Sequence, residues 1–157
     1  MKAASISLLK KELDMLPSKE VLGICMRLAK FKKENKELLS YLLFEADDEL
    51  QYIISVKSEI DAQFAEINRS TMYYIKKSIR KILRTTHKYI RYSGIRRTEV
   101  ELLIYFCTKL KTSGIPVNAS TALSNLYQAQ LQKIRNILAT LHEDLQYDYE
   151  QELIILS

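Results

Sequence analysis

The side chains most clearly suited to binding or chemistry are the Lys and Arg residues between positions 69 and 97. This segment contains ten basic residues and no acidic one. On a helical wheel for residues 72–92, the apolar side chains cluster within about 100°, and the cationic ones fill an adjoining sector of about 140°. Arg96 and Arg97 extend this charge beyond Gly94. We therefore predict a basic helix, 72–97, that binds an anionic partner. Its predicted binding residues are Lys76, Lys77, Arg80, Lys81, Arg84, Lys88, Arg91, Arg96 and Arg97.

The basic helix needs a negative neighbour, because like charges four residues apart on a helix repel each other. One candidate is internal: the preceding residues 45–66 are rich in Asp and Glu and could neutralise the cationic face. A second is the phosphate backbone of a nucleic acid, where Tyr side chains could also stack on bases. A third is an acidic protein or an anionic membrane surface. One antiparallel helix covers less than a 140° sector, so the nucleic-acid alternative stays open.

A second pattern lies near the C-terminus, where apolar residues alternate by four and three from position 127 to 145. No helix-breaking residue stands between Ser120 and Leu153, so the pattern predicts one long C-terminal helix with a heptad seam. The seam can pack inside its own bundle or against a second copy of the chain. The predicted self-association residues are Tyr127, Leu131, Ile134, Leu138, Leu141 and Leu145.

Catalytic and metal-binding patterns are incomplete throughout the sequence. His142 begins an H-E sequence, but no second His follows at the spacing of a zinc helix. His87 lies within the basic face, and we expect it at the surface. The S-x-x-K matches that begin at Ser7 and Ser78 lack the downstream motifs of their enzyme class. The acidic run 45–49 lacks the spacing and the glycine of a calcium loop. We therefore predict no catalytic residue, no metal, no cofactor and no enzymatic activity.

The composition predicts an all-α protein. Of 157 residues, 47% are apolar, while three Gly and two Pro are too few for the tight turns of an all-β chain. Gly94 is placed to end the basic helix, and Thr98 with Glu101 matches a capping box at the start of the next one. We predict a single helical domain, 1–157, built as a bundle of six or seven helices. The long C-terminal helix is expected to be its spine.

The two cysteines, Cys25 and Cys107, stand among apolar neighbours and are expected to be reduced. The N-terminal residues lack a signal-peptide core, and no apolar stretch is long enough to span a bilayer. These observations predict a cytoplasmic protein. Our leading functional hypothesis is a non-enzymatic interaction or scaffold protein with a protein partner, or a homo-oligomer formed through the C-terminal helix. The alternative is a nucleic-acid-binding module that uses the basic helix, and an anionic membrane surface is the third option.

Overall fold

The secondary structure consists of eight α-helices and one short 3-10 helix, with no β-strand, in the computed structural model, which describes residues 1–157. The all-α prediction is therefore confirmed, but the predicted number of six or seven helices is too low. The helices are α1 (Ile6–Asp14), α2 (Ser18–Phe31), α3 (Lys33–Phe44), α4 (Glu49–Ala65), α5 (Met72–Ser93), α6 (Arg96–Thr112), α7 (Thr121–Leu138) and α8 (Glu143–Leu156). None of them combines the length and apolar character needed to cross a membrane.

The additional helix arises because the predicted long C-terminal helix is broken at residues 139–142. The Thr140 hydroxyl donates to the carbonyl of Ile137 at 2.7 Å, a local hydrogen bond of the kind that competes with helix continuation. His142 then caps α8, since its Nδ1 accepts the backbone N–H of Asp144 at 3.4 Å. Glu143 and Asp144 occupy the first turn of α8, where negative charge is favourable. This acidic first turn was the sequence signal for the break.

The chain divides into two compact units, residues 1–44 and 45–157. The first unit contains α1, α2 and α3, with α2 packed against α3. Ser5 caps α1 by accepting the backbone N–H of Leu8, and the side-chain amide of Asn35 donates to the carbonyl of Leu28. Within this unit only Ala29 and Tyr41 are buried. The single domain over residues 1–157 stays a prediction.

The second unit is organised around α6, which packs against α4, α5, α7 and α8. Buried side chains cover most of the circumference of α6, as expected for a helix with several neighbours, and Glu101, Tyr105 and Thr108 on the remaining side are half-buried. Six of the buried side chains have no measurable exposure, namely Val100, Leu102, Leu103, Phe106, Cys107 and Leu110. The central helix is therefore α6, and the prediction that the C-terminal helix forms the spine is wrong.

The junction between α5 and α6 differs from the sequence prediction at one end only. Gly94 ends α5 as predicted, with a left-handed φ of 68° and its N–H bonded to the carbonyl of Ile90. The capping box at Thr98 is wrong, since α6 already begins at Arg96. Thr98 is buried instead, and its hydroxyl donates to the carboxylate of Glu49 on α4. The basic helix therefore ends at position 93, and Arg96 and Arg97 belong to the first turn of α6.

Candidate anion-binding groove

The helix that carries the predicted binding residues is fixed by its apolar side. Thr71 caps the N-terminus of α5 by accepting the backbone N–H of Tyr74 at 3.4 Å. The inner face of α5 is packed on α4 and α6. Its buried residues are Ile75, Ile79, Ile82, Leu83, Thr86 and Ile90, which match the apolar stripe of the helical wheel. Because the stripe is narrow, most of the cationic sector is left facing solvent.

Most cations of α5 have no acidic neighbour. No carboxylate lies within 4.0 Å of six of the nine predicted binding residues, which are Lys76, Lys77, Arg80, Lys81, Arg84 and Arg91. All of these except Lys76 are exposed, and Lys76 is half-buried. These six side chains therefore form a cationic surface of α5 that no acid of the chain contacts.

Two acidic side chains of α4, Asp61 and Glu49, bind partners on α6 and at the α5–α6 junction, whereas Glu59 accepts the side-chain amide of Gln63 within α4. The carboxylate of Asp61 accepts the Tyr105 hydroxyl at 2.7 Å and lies 2.8 Å from the Lys109 ammonium. Burial alone would raise the pKa of Asp61, but the hydrogen bonds from Lys109 and Tyr105 outweigh it and lower that pKa. Glu49 accepts hydrogen bonds from Ser93 and Thr98. None of these contacts involves the six cations of α5 that have no acidic neighbour.

The cationic face includes a groove of about 510 Å³ that is also lined by side chains of α6 and α7. Leu83 and Ile90 are buried at its base. Its charged and titratable lining consists of Arg80, Arg84, His87, Arg91, Glu99 and Lys133. Glu99 is the only acid there, and it is held by Lys133 at 2.8 Å and by Arg96 at 3.6 Å. The groove therefore carries a net positive charge and lies open to solvent.

A second depression of about 240 Å³ continues the groove towards the N-terminus of α5. It is lined by Tyr73, Lys76 and Lys77, and it shares Arg80 and Arg84 with the larger one. We call the two depressions together the cationic groove. It follows α5 over most of the helix length, so an extended anion could contact several cations at once.

Two basic residues of the cationic groove, Lys133 and His87, were not identified as binding residues from the sequence. Lys133 lies on α7, distant in sequence from the basic helix, and only the fold brings it beside Glu99. His87 is half-buried rather than fully at the surface. Burial and the positive charge of Lys133 are the main causes that lower the pKa of His87 below its ordinary value of 6.5. This shift favours the neutral imidazole, whereas an anion bound beside the ring would favour its charged form.

Three of the nine predicted binding residues lie in other surroundings. The ammonium of Lys88 lies 4.8 Å from the ring centroid of Tyr89. Arg96 pairs with Glu99 within α6, and the Arg97 Nε donates to the Tyr149 hydroxyl at 3.3 Å. These three side chains are occupied by contacts within the chain, which separates them from the six cations without an acidic neighbour.

The predicted self-association residues lie mainly in the interior of the second unit. Leu131 and Ile134 have no measurable exposure, and Tyr127 and Leu138 are also buried. The Tyr127 hydroxyl donates to the carbonyl of Leu156 at 2.7 Å, which ties α7 to α8. Leu141 and Leu145, at the break and in α8, are half-buried. Of the two alternatives for this seam, the structure places four of its six residues inside the chain's own bundle.

The remaining candidate groups for chemistry are dispersed. No cluster of three or more His, Cys, Asp or Glu side chains is arranged to hold a metal ion. Both cysteines are free, and burial raises the pKa of the Cys107 thiol to about 12. A thiol of that pKa is not ionised at neutral pH and is a poor nucleophile. The cationic groove is thus the site that the structure offers most clearly.

These features define an all-α protein with a cationic groove along one helix. Comparison with known proteins adds no further identification: no protein family, no curated protein and no solved structure shows significant similarity to this chain.

Proposed function

We propose that the protein binds the phosphate backbone of a nucleic acid in the cationic groove of α5. The observation that carries this proposal is that six cations of α5 have no carboxylate within 4.0 Å. Uncompensated cations repel each other within a helix, and a polyanion removes this repulsion. Phosphates also release counterions when Lys and Arg bind them, which supplies much of the affinity for nucleic acids.

The direct test is a titration of fluorescently labelled mixed-sequence DNA and RNA, followed by anisotropy at about 50 and about 200 mM salt. Binding should weaken steeply with salt. A variant with Lys77, Arg80, Arg84 and Arg91 changed to Glu should lose binding at both salt concentrations. Changing the same four residues to Gln should flatten the slope of log K against log salt by about 3 to 4, at about 0.9 per phosphate contact.

The matched control is a variant with Lys10, Lys11, Lys30 and Lys32 changed to Glu. These four side chains are exposed in the first unit, and their reversal changes the net charge by the same amount as the groove variant. It should retain most of the binding, because the groove is intact. An equal loss in both variants would mean that overall charge, and not the groove, causes binding, and would contradict the proposal.

Vesicles separate the membrane alternative from the nucleic-acid proposal. A basic amphipathic helix can bind anionic lipid through the same charges. The membrane alternative predicts that the protein pellets with anionic vesicles, does not pellet with neutral ones and does not bind DNA or RNA. That result would identify a membrane surface, and not a nucleic acid, as the partner.

The second candidate is the interaction or scaffold role, and the observation that favours it lies in the first unit. Large apolar side chains of α2 and α3 are exposed, including Leu22 at 61%, Phe31 at 75% and Phe44 at 80%. Exposed apolar patches often mark contacts between proteins. The first occupant to test is a second copy of this chain. Light scattering over a wide range of protein concentrations measures the mass of the particles. A monomer at every concentration would rule out a homo-oligomer.

A further inference from the structure

Two aromatic side chains at the N-terminal end of α5 are exposed without a partner other than each other. Tyr73 is 65% exposed and Tyr74 is 43% exposed, and their ring centroids lie 5.3 Å apart in an edge-to-face arrangement. Neither ring lies under a Lys or Arg of the chain. Tyr73 is also part of the cationic groove, beside Lys76 and Lys77. The groove therefore combines a solvent-facing aromatic ring with a row of cations.

The ring and the cations lie along one line of the helix. Tyr73 and Arg91 are 18 residues apart, which is five helical turns, so their side chains leave α5 in the same direction. Lys77, Arg80 and Arg84 lie within about 40° of that direction on the wheel. At 1.5 Å per residue, the line from Tyr73 to Arg91 is about 27 Å long. This length equals about eight nucleotides of a stacked strand at 3.4 Å each.

An aromatic ring in this position distinguishes single from double strands. In a duplex the bases are paired and stacked on each other, so a protein meets phosphates and groove edges, and a Tyr ring finds no open base face. Proteins that bind single strands combine a cationic track for the backbone with aromatic rings on which bases stack. The arrangement at Tyr73 and along Arg80 and Arg84 has both parts.

We infer that the ligand of the cationic groove is a single-stranded nucleic acid, with a base stacked on Tyr73 and the following phosphates bound by Lys77, Arg80, Arg84 and Arg91. This inference rests on the proposed function and narrows its ligand to one class. At most about eight nucleotides of the strand would lie along α5.

The test compares a labelled 12-nucleotide pyrimidine strand with a blunt duplex of the same length. The full chain, Tyr73→Ala and Tyr73→Phe are each titrated at low salt. Loss of one stacking contact should weaken single-strand binding about 5- to 100-fold in Tyr73→Ala. Tyr73→Phe keeps the ring and should bind within about twofold of the unaltered chain. Duplex binding should be weaker from the start and equal in all three proteins.

A fluorescence readout reports on stacking independently of affinity. The chain contains no Trp, so Tyr73→Trp introduces a single indole. A base stacked on this indole should quench its emission when the single strand is added, whereas inorganic phosphate should not. Tyr147→Trp is the matched control, since Tyr147 is 68% exposed on α8 and lies outside the cationic groove. Its emission should stay constant.

The outcomes separate this inference from the proposed function. Preference for the single strand, with loss in Tyr73→Ala and quenching in Tyr73→Trp, would support both. Binding of the duplex at least as tightly, with Tyr73→Ala unaltered and the charge-reversal variant inactive, would overturn the inference and leave the proposed function standing. No binding of either nucleic acid would overturn both together.

Discussion

The ammonium of Lys133 on α7 lies 2.8 Å from the carboxylate of Glu99 on α6, at the edge of the cationic groove. Glu99 also pairs with Arg96 at 3.6 Å, and its side chain is only 14% exposed. The pair joins two helices and places the only acid of the groove beside a half-buried imidazole, that of His87. One carboxylate thus moderates the positive field of the groove while it holds Lys133 at the groove's edge.

Replacing Glu99 by Gln should strengthen anion binding. The change removes the only negative charge of the groove and keeps the shape of the side chain. We expect about fivefold tighter binding of a nucleic acid at low salt, equivalent to about 1 kcal/mol. Anisotropy titrations measure it, with Glu152→Gln on the exposed side of α8 as the control of equal charge change. Equal gains in the two variants would refute a local effect of Glu99.

The protonation of His87 should depend on what occupies the groove. Burial and Lys133 lower its pKa, Arg91 lowers it further, and the neighbouring Gln130 and Glu99 partly oppose them. NMR titration of the imidazole should therefore give a pKa below 6.5 in the free protein. Added inorganic phosphate should raise this pKa, since an anion favours the charged ring.

The lowered pKa of His87 makes both the affinity for an anion and the stability of the fold depend on pH. By linkage, affinity for an anion should increase as the pH falls through the pKa of His87 in the complex. The unfolded chain, with a pKa near 6.5, binds this proton more readily than the folded one, so the contribution of neutral His87 to stability is lost as the pH falls below about 6.5. A pKa at or above 6.5 in the free protein would contradict both expectations.

How far the sequence predicted this site depends on where each residue lies. The face of α5 was predictable because its apolar and cationic side chains follow the period of a single helix, and Gly94 marks the end. Lys133 was not predictable, because its place in the groove results from the packing of α7 beside α6. The burial of the seam residues between 127 and 138 likewise depends on what packs against α7. A heptad pattern is the same whether that neighbour is a helix of the same chain or a second copy. Only the acidic pair after His142 could have revealed the helix break.

The seam of α7 provides a direct comparison between core packing and self-association. Ile134 has no measurable exposure, so Ile134→Ala should lower the free energy of unfolding by about 2–5 kcal/mol. Ile154→Ala on α8, where the side chain is 69% exposed, should change it by less than about 0.5 kcal/mol. Chemical denaturation measures both, and light scattering follows the mass. If Ile134→Ala were as stable as the unaltered chain but formed particles of lower mass, the seam would instead mediate pairing with a second copy of the chain.

The second unit should fold without the first. Its helices α4 to α8 bury a core around α6, in which Leu103 and Phe106 have no measurable exposure. A chain of residues 45–157 should therefore unfold in one cooperative transition, followed by circular dichroism during heating. A broad, non-cooperative loss of helix would show instead that residues 1–44 are required, as the predicted single domain implies.

The carboxylate of Asp61 should contribute to stability in a pH-dependent way. It accepts the Tyr105 hydroxyl and pairs with Lys109, which links α4 to α6. Asp61→Asn removes the charge that Lys109 faces, so we expect the free energy of unfolding to fall by about 0.5–1 kcal/mol at pH 7, a modest value because both charged groups are over one-third exposed. Urea denaturation measures this loss, with Asp148→Asn on α8 as an exposed control.

Urea denaturation at acidic pH tests whether the charge of Asp61 is the source of this stabilisation. Hydrogen bonds from Lys109 and Tyr105 outweigh burial and lower the pKa of Asp61 in the folded chain below its ordinary value of 3.8. The contribution of Asp61 is therefore fully present above about 3.8 and is lost as the pH falls through the lower folded pKa. The stability difference between the unaltered chain and Asp61→Asn should shrink over that range. A difference that stays constant into strong acid would mean that the charge of Asp61 is not its source.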